Sequence, residues 1–494
     1  MAIGRLVRTL QYLKLRQIWY QVWRRVQKGI EAHPKCGCEE LPEFTFLNLS
    51  AKPKGWNDES LDMLWRYNLH YFDWINSRVE HVERVEEDLE LIKKWIVENP
   101  KGAIPGWDPY PISLRIVNWI KWLSAFSHNE QIDCIVESLR EQVGWLERHI
   151  EWHILANHLL ANLKALVIGN RFLGRDCDKW MRLYKKQIAE QVLPDGGHYE
   201  RSVMYHAIIL EDVLDVIKFC GEDAAWLRPV AEKMLRFLVN MTGPDGKIAM
   251  LNDAADGIAK PTDWLVDYAN ELGLEAPVAE PFVDFPDTGY TRMTVGDFVL
   301  FADTAQIGPD YQPGHAHADT LTYELYYKGR KIVTDVGTSE YRGKRRAFER
   351  STAAHNVVEI DERNSSEVWS SHRVGARARI VKREVGLGRI SAAHDGYGFE
   401  VGREWRLTNE GLAVTEHVNG SGNCVTRVHM TLDAKDAKFA KGESYLEIPG
   451  IKVKGLDDFE DYEYAVEFGK LGKGMCMSGA FNGGEFTYSI LPTV

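Results

Sequence analysis

The segment Gly314-His-Ala-His-Ala-Asp-Thr320 sets His315 and His317 two residues apart, and Asp335 and His355 follow 18 and 38 residues after His317. On an extended backbone, residues i and i+2 face the same side. Two imidazoles and one carboxylate suit a borderline-soft divalent ion such as zinc, or a harder one such as manganese. The other histidine is then left for proton transfer, since an imidazole titrates near neutrality (pKa ~6.5). The plainer alternative is a pair of solvated loop histidines and an Asp335 that caps a turn before Gly337.

Further chemistry-bearing residues cluster in the first half. Trp65-Arg-Tyr-Asn-Leu-His-Tyr-Phe-Asp73 places Asn68 and His70 among aromatics, and Arg115 lies one turn into a helix opened by Pro111. Asn157-His158 interrupts an apolar helical stretch, with Asn162 on a neighbouring face. Gly196-Gly-His-Tyr-Glu-Arg-Ser-Val-Met-Tyr-His206 runs from a glycine turn into a helix. Tyr205 is one turn beyond Arg201, so a cation there favours its phenolate. Taken singly, each has a structural rival: a satisfied polar pair in a bundle, or a tyrosine filling a core.

The elements that must position these groups change character along the chain. From about 58 to 273 the apolar period is helical, with helices expected at Glu80–Glu98, Ile112–Phe126, Glu130–Glu151 and Ile154–Phe172, then near 177–193, 200–220 and 223–241. Asn99-Pro100, Pro194-Asp-Gly-Gly197 and Gly243-Pro-Asp-Gly246 punctuate them. Residues 274–287 carry three prolines and read as a linker. Beyond it, strand-like runs at Phe298–Ala302, Leu321–Tyr327, Lys331–Asp335, Val357–Ile360, Ala376–Val385, Trp405–Thr408, Leu412–Val418 and Val425–Leu432 predict an antiparallel sandwich. The expected domains are an N-terminal segment 1–40, a helical catalytic domain 41–275 and a β domain 286–494. Polar residues at loop and strand ends on both sides of the linker favour an interdomain cleft.

Bulk properties narrow the function classes. At 494 residues the chain exceeds a single core. A formal charge of −12 argues against a nucleic-acid binder, yet leaves room for a local basic cleft that takes a polyanionic sugar. Seven scattered cysteines, with only Cys36 and Cys38 close, fit free thiols in a reducing compartment. Residues 1–29 hold seven cations and no acid, and the charges interrupt every apolar run, so neither a signal-peptide core nor a membrane span is visible. Leu15, Ile18, Trp19, Val22 and Val26 share one helical face. The favoured expectation packs that stripe against the protein; the alternative is peripheral contact with an anionic membrane.

Six segments then occur in a meaningful order: Tyr67-Asn-Leu-His-Tyr-Phe72, Pro111-Ile-Ser-Leu-Arg-Ile-Val-Asn-Trp119, Ala156-Asn-His158, Asp195 through His206, Gly314 through Asp319, and Arg350-Ser-Thr-Ala-Ala-His-Asn356. In this the chain resembles the heparinase II/III-like polysaccharide lyases, over roughly residues 60–370. The resemblance implies an N-terminal incomplete (α/α) toroid followed by an antiparallel β-sandwich domain carrying a zinc or manganese ion. It also implies β-elimination on an anionic uronate polysaccharide, of glycosaminoglycan, alginate or exopolysaccharide type.

The resemblance assigns roles accordingly. Asn157 with His158 would neutralise the uronate carboxyl group; Tyr205 would act as acid, and as base for same-face elimination; His315 would be the base for the opposite C5 epimer. His317, Asp335 and His355 would hold the metal. Asn68, His70, Arg115 and Arg201 would bind substrate anions. The chemistry calls for such groups: the C5 proton is acidic only once its neighbouring carboxylate is masked, and O4 needs a proton as it leaves. A uronate C5-epimerase of the same fold and a non-catalytic polysaccharide-binding protein are the alternatives. The expected location is cytoplasmic or at the inner membrane, or secreted or periplasmic if the chain is a mature form. No phosphate loop or Gly-x-Ser-x-Gly elbow competes with this reading.

Overall fold

The computed structural model describes residues 2–27, 41–76, 84–126, 132–275, 277–432, 438–439 and 445–493. Cys36 and Cys38 lie outside them. Two short helices, α1 (Ala2–Leu10) and α2 (Leu15–Gln27), come first. The helical region follows as α3 (Met63–Tyr71), α4 (Val85–Glu98), α5 (Pro109–Phe126), α6 (Asp133–Leu146), α7 (Ala156–Phe172), α8 (Asp178–Gln191), α9 (Val203–Cys220), α10 (Arg228–Asn240) and α11 (Thr262–Glu271). Local chemistry starts several of them. The Asp62 carboxylate accepts the Leu64 N–H at 2.8 Å, and two prolines open α5, where their missing N–H groups need no partner. Helix α7 is buried on nearly every face, so its amphipathy is weak and its polar residues Asn157, Asn162 and Lys164 stand out in the sequence.

Two antiparallel sheets form the β region. One runs in the order Asp458–Glu467, Lys470–Phe481, Cys424–Met430, Arg330–Val333, Tyr323–Tyr327, Phe298–Asp303, Tyr290–Val295, Phe282–Phe285, with Val358–Ile360 pairing on Cys424–Met430. The other runs Ile380–Gly386, Arg389–His394, Val401–Thr408, Gly411–Val418, Gly484–Pro492, Ile451–Lys454, Tyr445–Ile448, Lys438–Phe439. Leu300, Leu325, Val428 and Met477 of the first sheet share one core with Trp405, Val414, Tyr488 and Ile490 of the second, which makes the pair a sandwich. A two-turn helix, α12 (Gly343–Glu349), lies in the loop after the Arg330–Val333 strand.

Compactness divides the chain differently from the linker reading. One unit comprises residues 1–13, 191–214 and 227–494; the other comprises 14–190 and 215–226. The start of α9, together with α10 and α11, belongs with the sheets because its loops bond to them: Thr288 donates to Asp195 and Arg236 pairs with Glu280. The expected linker is also partly structured, since Phe282–Phe285 is an edge strand paired with Tyr290–Val295.

The N-terminal expectation is overturned. Helix α2 buries Gln17 (2% exposed) and turns its apolar stripe outward, with Leu15 86% and Trp19 66% exposed. Polar contacts hold it there: the Arg16 guanidinium sits 3.3 Å over the Trp152 ring, and Lys14 pairs with Glu190. Among the described residues no helix is long and apolar enough to cross a membrane.

Candidate active site

In the unit that holds the sheets, the Gly196-Gly197 turn delivers the chain into α9. A Cβ at Gly197 would fall 1.9 Å from Thr288 Oγ1, so only glycine fits there. Ser202 caps the helix: its Oγ accepts the Tyr205 N–H at 3.2 Å and donates to the Asp253 carbonyl. That cap fixes Tyr205 in the first turn. The Tyr205 ring stacks on His315 with centroids 3.8 Å apart, and its Oη lies 2.8 Å from Tyr341 Oη.

Asp253 organises the imidazoles. Its Oδ2 accepts from His315 Nδ1 at 2.8 Å and its Oδ1 from His317 Nε2 at 2.6 Å. Arg346, from α12, lies against both oxygens, and Thr338 Oγ1 donates at 3.0 Å. Asp253 is fully buried; burial alone would raise its carboxyl, but the Arg346 charge and the two imidazole N–H bonds outweigh that and hold it well below the usual range. A carboxylate only accepts, so His315 carries its proton on Nδ1 and His317 on Nε2. The lone pair of a neutral His315 is then on Nε2, which lies 3.7 Å from Glu200 Oε1.

Beyond His317 a second cluster forms. His317 Nδ1, Asp319 Oδ2 and His355 Nε2 are buried with no hydrogen-bond partner, and ligand atoms of these three residues lie within 4.8 Å of one another. Orphaned buried polar atoms converging in this way fit a cation. Burial lowers His317 to about 3, which keeps its imidazole neutral, and raises Asp319 to about 6, which leaves a buried carboxylate that a cation would stabilise. Asp335, which sequence reasoning placed among the ligands, stands behind His355: its Oδ1 accepts from His355 Nδ1 at 2.7 Å, and Oδ2 accepts from Thr322 Oγ1 at 2.7 Å. Such a carboxylate orients an imidazole ligand and raises its basicity. Arg350 clamps the histidine loop by donating to the Ala316 carbonyl at 2.9 Å.

Arg201 departs from its expected role. Its Nε donates to the Thr288 carbonyl at 2.9 Å and its backbone is left-handed, with φ 55°. It holds a loop.

The other unit positions Asn157 and His158 at the start of α7, after two consecutive left-handed residues, Leu155 (φ 67°) and Ala156 (φ 51°). Such strain in non-glycine residues is a mark of functional sites. Asn157 is buried; His158 is half-exposed, packs tilted against Tyr110 with ring centroids 4.4 Å apart and sets Nδ1 3.1 Å from Glu151 Oε2. Asn68 is half-buried and donates to the Leu64 carbonyl. His70 and Arg115 are core residues, a correction to the anion-binding expectation. His70 Nε2 meets the Trp56 carbonyl at 2.9 Å, its Nδ1 accepts from Trp95, and burial lowers it to about 3. Arg115 donates to Gln142 and to the His70 carbonyl and lies 3.8 Å over the Trp95 ring. Neither can meet a polymer.

Residues 51–270 match the family profile described as heparinase II/III N-terminus, and residues 277–452 match heparinase II/III-like, C-terminal. The chain belongs to the heparinase II/III family. It is 23% identical over 373 residues to a heparin-sulfate lyase of Bacteroides stercoris, and 22% identical over 382 residues to one of Pedobacter heparinus. These alignments cover 66% and 63% of this chain but 54% and 56% of the relatives, so the chain spans about half the length of the relatives it matches. Among solved structures, a heparinase III crystal structure superposes with a TM-score of 0.68 at 17% identity, covering 87% of this chain and 76% of that one. The Pedobacter heparinus heparan sulfate lyase HepC gives 0.60 at 18%, covering 89% and 78%. The likeness shows the fold: a helical toroid followed by an antiparallel β-sandwich, as the motifs imply.

Proposed function

We propose that this heparinase II/III family member is a polysaccharide lyase that cleaves an anionic uronate polymer by β-elimination. The observation that carries the reading is the Tyr205–His315 stack backed by Asp253, which sets a phenol and an oriented imidazole side by side. In the reaction a base takes the C5 proton, its electron pair forms the C4=C5 bond, and O4 departs with a proton. His315 Nε2 serves as base for one C5 epimer. Tyr205 Oη serves as base for the other, and as the acid for O4. Each positioned group of this kind is worth about 10²–10⁴ in rate. Asn157, whose amide can donate to a carboxylate, and the half-exposed His158 are assigned to the uronate carboxyl group on the motif they complete. Asn68 is kept for the substrate, and His70 and Arg115 are not.

His317, Asp319 and His355 would hold one divalent ion, with Asp335 orienting His355. The imidazole-rich donor set favours zinc over manganese. When bound, the ion supplies positive charge that neutralises Asp319 and rigidifies the loop carrying His315. The relatives' printed names point to heparan-type glycosaminoglycans as the first substrates to try.

Absorbance of the conjugated enoate, followed while the metal-loaded protein acts on heparan sulfate, chondroitin sulfate, hyaluronan and alginate, tests the reading. A rise on a uronate polymer is expected. A flat trace on all of them rejects it, and solvent deuterium at C5 without chain cleavage would identify an epimerase instead.

A further inference from the structure

Helix α2 is amphipathic in the inverted sense. Its polar side faces the protein through Gln17 and Tyr20, the latter 6.2 Å from the Trp152 ring, while Leu15, Ile18, Trp19, Val22 and Trp23 are exposed together. Spacing of three and four residues puts Leu15, Ile18, Trp19 and Val22 on one stripe, with Trp23 at its edge. Burial of such a stripe ordinarily drives helix docking, so an exposed one marks a surface that meets something else.

We propose that the outward face of α2 docks on an anionic lipid bilayer. Charge complementarity selects this occupant. Residues 15–29 carry Arg16, Arg24, Arg25 and Lys28 and no acid, in a chain of net charge −12; the earlier cations Arg5, Arg8 and Lys14 are taken up by Glu367 and Glu190. The acidic remainder is repelled by an anionic surface while the N-terminal segment is drawn to it, which enforces one orientation. Two tryptophans beside aliphatic residues, with Arg24, Arg25 and Lys28 following in sequence, match a helix lying in the headgroup plane. A second copy of the chain fits less well, because a two-fold contact through this face would set cationic flanks against each other. A polysaccharide chain would use the tryptophans but gain nothing from Leu15, Ile18 and Val22.

The test is co-sedimentation of the full-length protein with vesicles of phosphatidylcholine containing phosphatidylglycerol, and of phosphatidylcholine alone, with tryptophan fluorescence as second readout. Binding to the anionic vesicles with a blue shift, weakened by salt, is expected. Trp19→Ser/Trp23→Ser should reduce it by about tenfold or more, and Arg24→Gln/Arg25→Gln should reduce it on anionic vesicles. These positions are outside the candidate active site and, for the tryptophans, solvent-exposed, so enoate production from soluble polymer should be unchanged. No sedimentation at low salt, equal binding to phosphatidylcholine alone, or a Trp-dependent self-association or polymer retention in place of vesicle binding would each overturn the proposal.

Discussion

The carboxylate of Asp253 lies 2.8 Å from His315 Nδ1, and its other oxygen lies 2.6 Å from His317 Nε2. One buried group thus sets two tautomers: it turns the lone pair of His315 to Nε2, and that of His317 to Nδ1 among the converging ligand atoms. In the lyase reading, the proposed base and the proposed ion share a support.

Asp253→Asn separates those duties. An amide can donate where the carboxylate accepted, so His315 loses its enforced tautomer and turnover should fall by about 10²–10⁴, the scale of a positioned general base. The same change leaves Arg346 buried without its countercharge, at a cost of about 3–5 kcal/mol. Single-turnover rates on folded protein, read beside urea midpoints, check both. A variant with wild-type turnover would show that Asp253 is a structural anchor alone.

Tyr205→Phe keeps the ring stacked on His315 and deletes only Oη. Enoate production should drop by about 10²–10⁴, with thermal stability nearly unchanged. Tyr341→Phe removes only the hydroxyl that Tyr205 Oη meets at 2.8 Å. It should cost about two- to tenfold, the net worth of one hydrogen bond. Equal losses in the two variants would instead make Tyr341 a proton-transfer group in its own right.

Much of this arrangement was legible in the chain, and the gaps have physical causes. Helical and strand periods hold to about residue 430, but Asp458–Glu467 hides its alternation under acidic residues on an exposed edge, so that strand and its partners gave no signal. The histidine pair was visible because two imidazoles at i and i+2 are conspicuous. Asp253 was not: it follows a glycine turn in irregular backbone, and only the fold brings it 62 residues along to His315. Asp319 sat within the motif itself, overlooked beside Asp335. His70 and Arg115 read as substrate ligands for the opposite reason, since a polar residue among aromatics looks functional until its partners are counted. Helix α2 defeats the rule that apolar stripes face inward.

Metal content separates the two carboxylates. Asp319→Asn should abolish retention of zinc after dialysis, because it removes an orphaned ligand oxygen. Asp335→Asn acts through His355 and should weaken affinity by about 10–100-fold. Chelation should lower the melting temperature of the wild-type protein, through loss of a ligand bound only by the folded state. Metal analysis in the reverse order, with Asp335→Asn the emptier variant, would restore Asp335 as the direct ligand.

The buried imidazoles should make stability fall on acidification above the ordinary carboxylate range, against a smaller opposite contribution from the raised Asp319 carboxyl. His70 is wholly buried, and burial, with help from Arg115, lowers it to about 3 from an ordinary value of 6.5. The unfolded chain therefore binds a proton at this residue below pH ~6.5 that the folded chain refuses down to pH ~3. Unfolding is favoured across that window, by about 1.4 kcal/mol per pH unit at most for each such group. His206, lowered to about 4 with Nε2 at the Met234 carbonyl, adds a second contribution of the same sign. Urea midpoints should drop between pH 6.5 and 5, and His70→Gln, which can still donate to the Trp56 carbonyl, should flatten the slope. A midpoint independent of pH over that interval would mean that these imidazoles reach water as readily folded as unfolded.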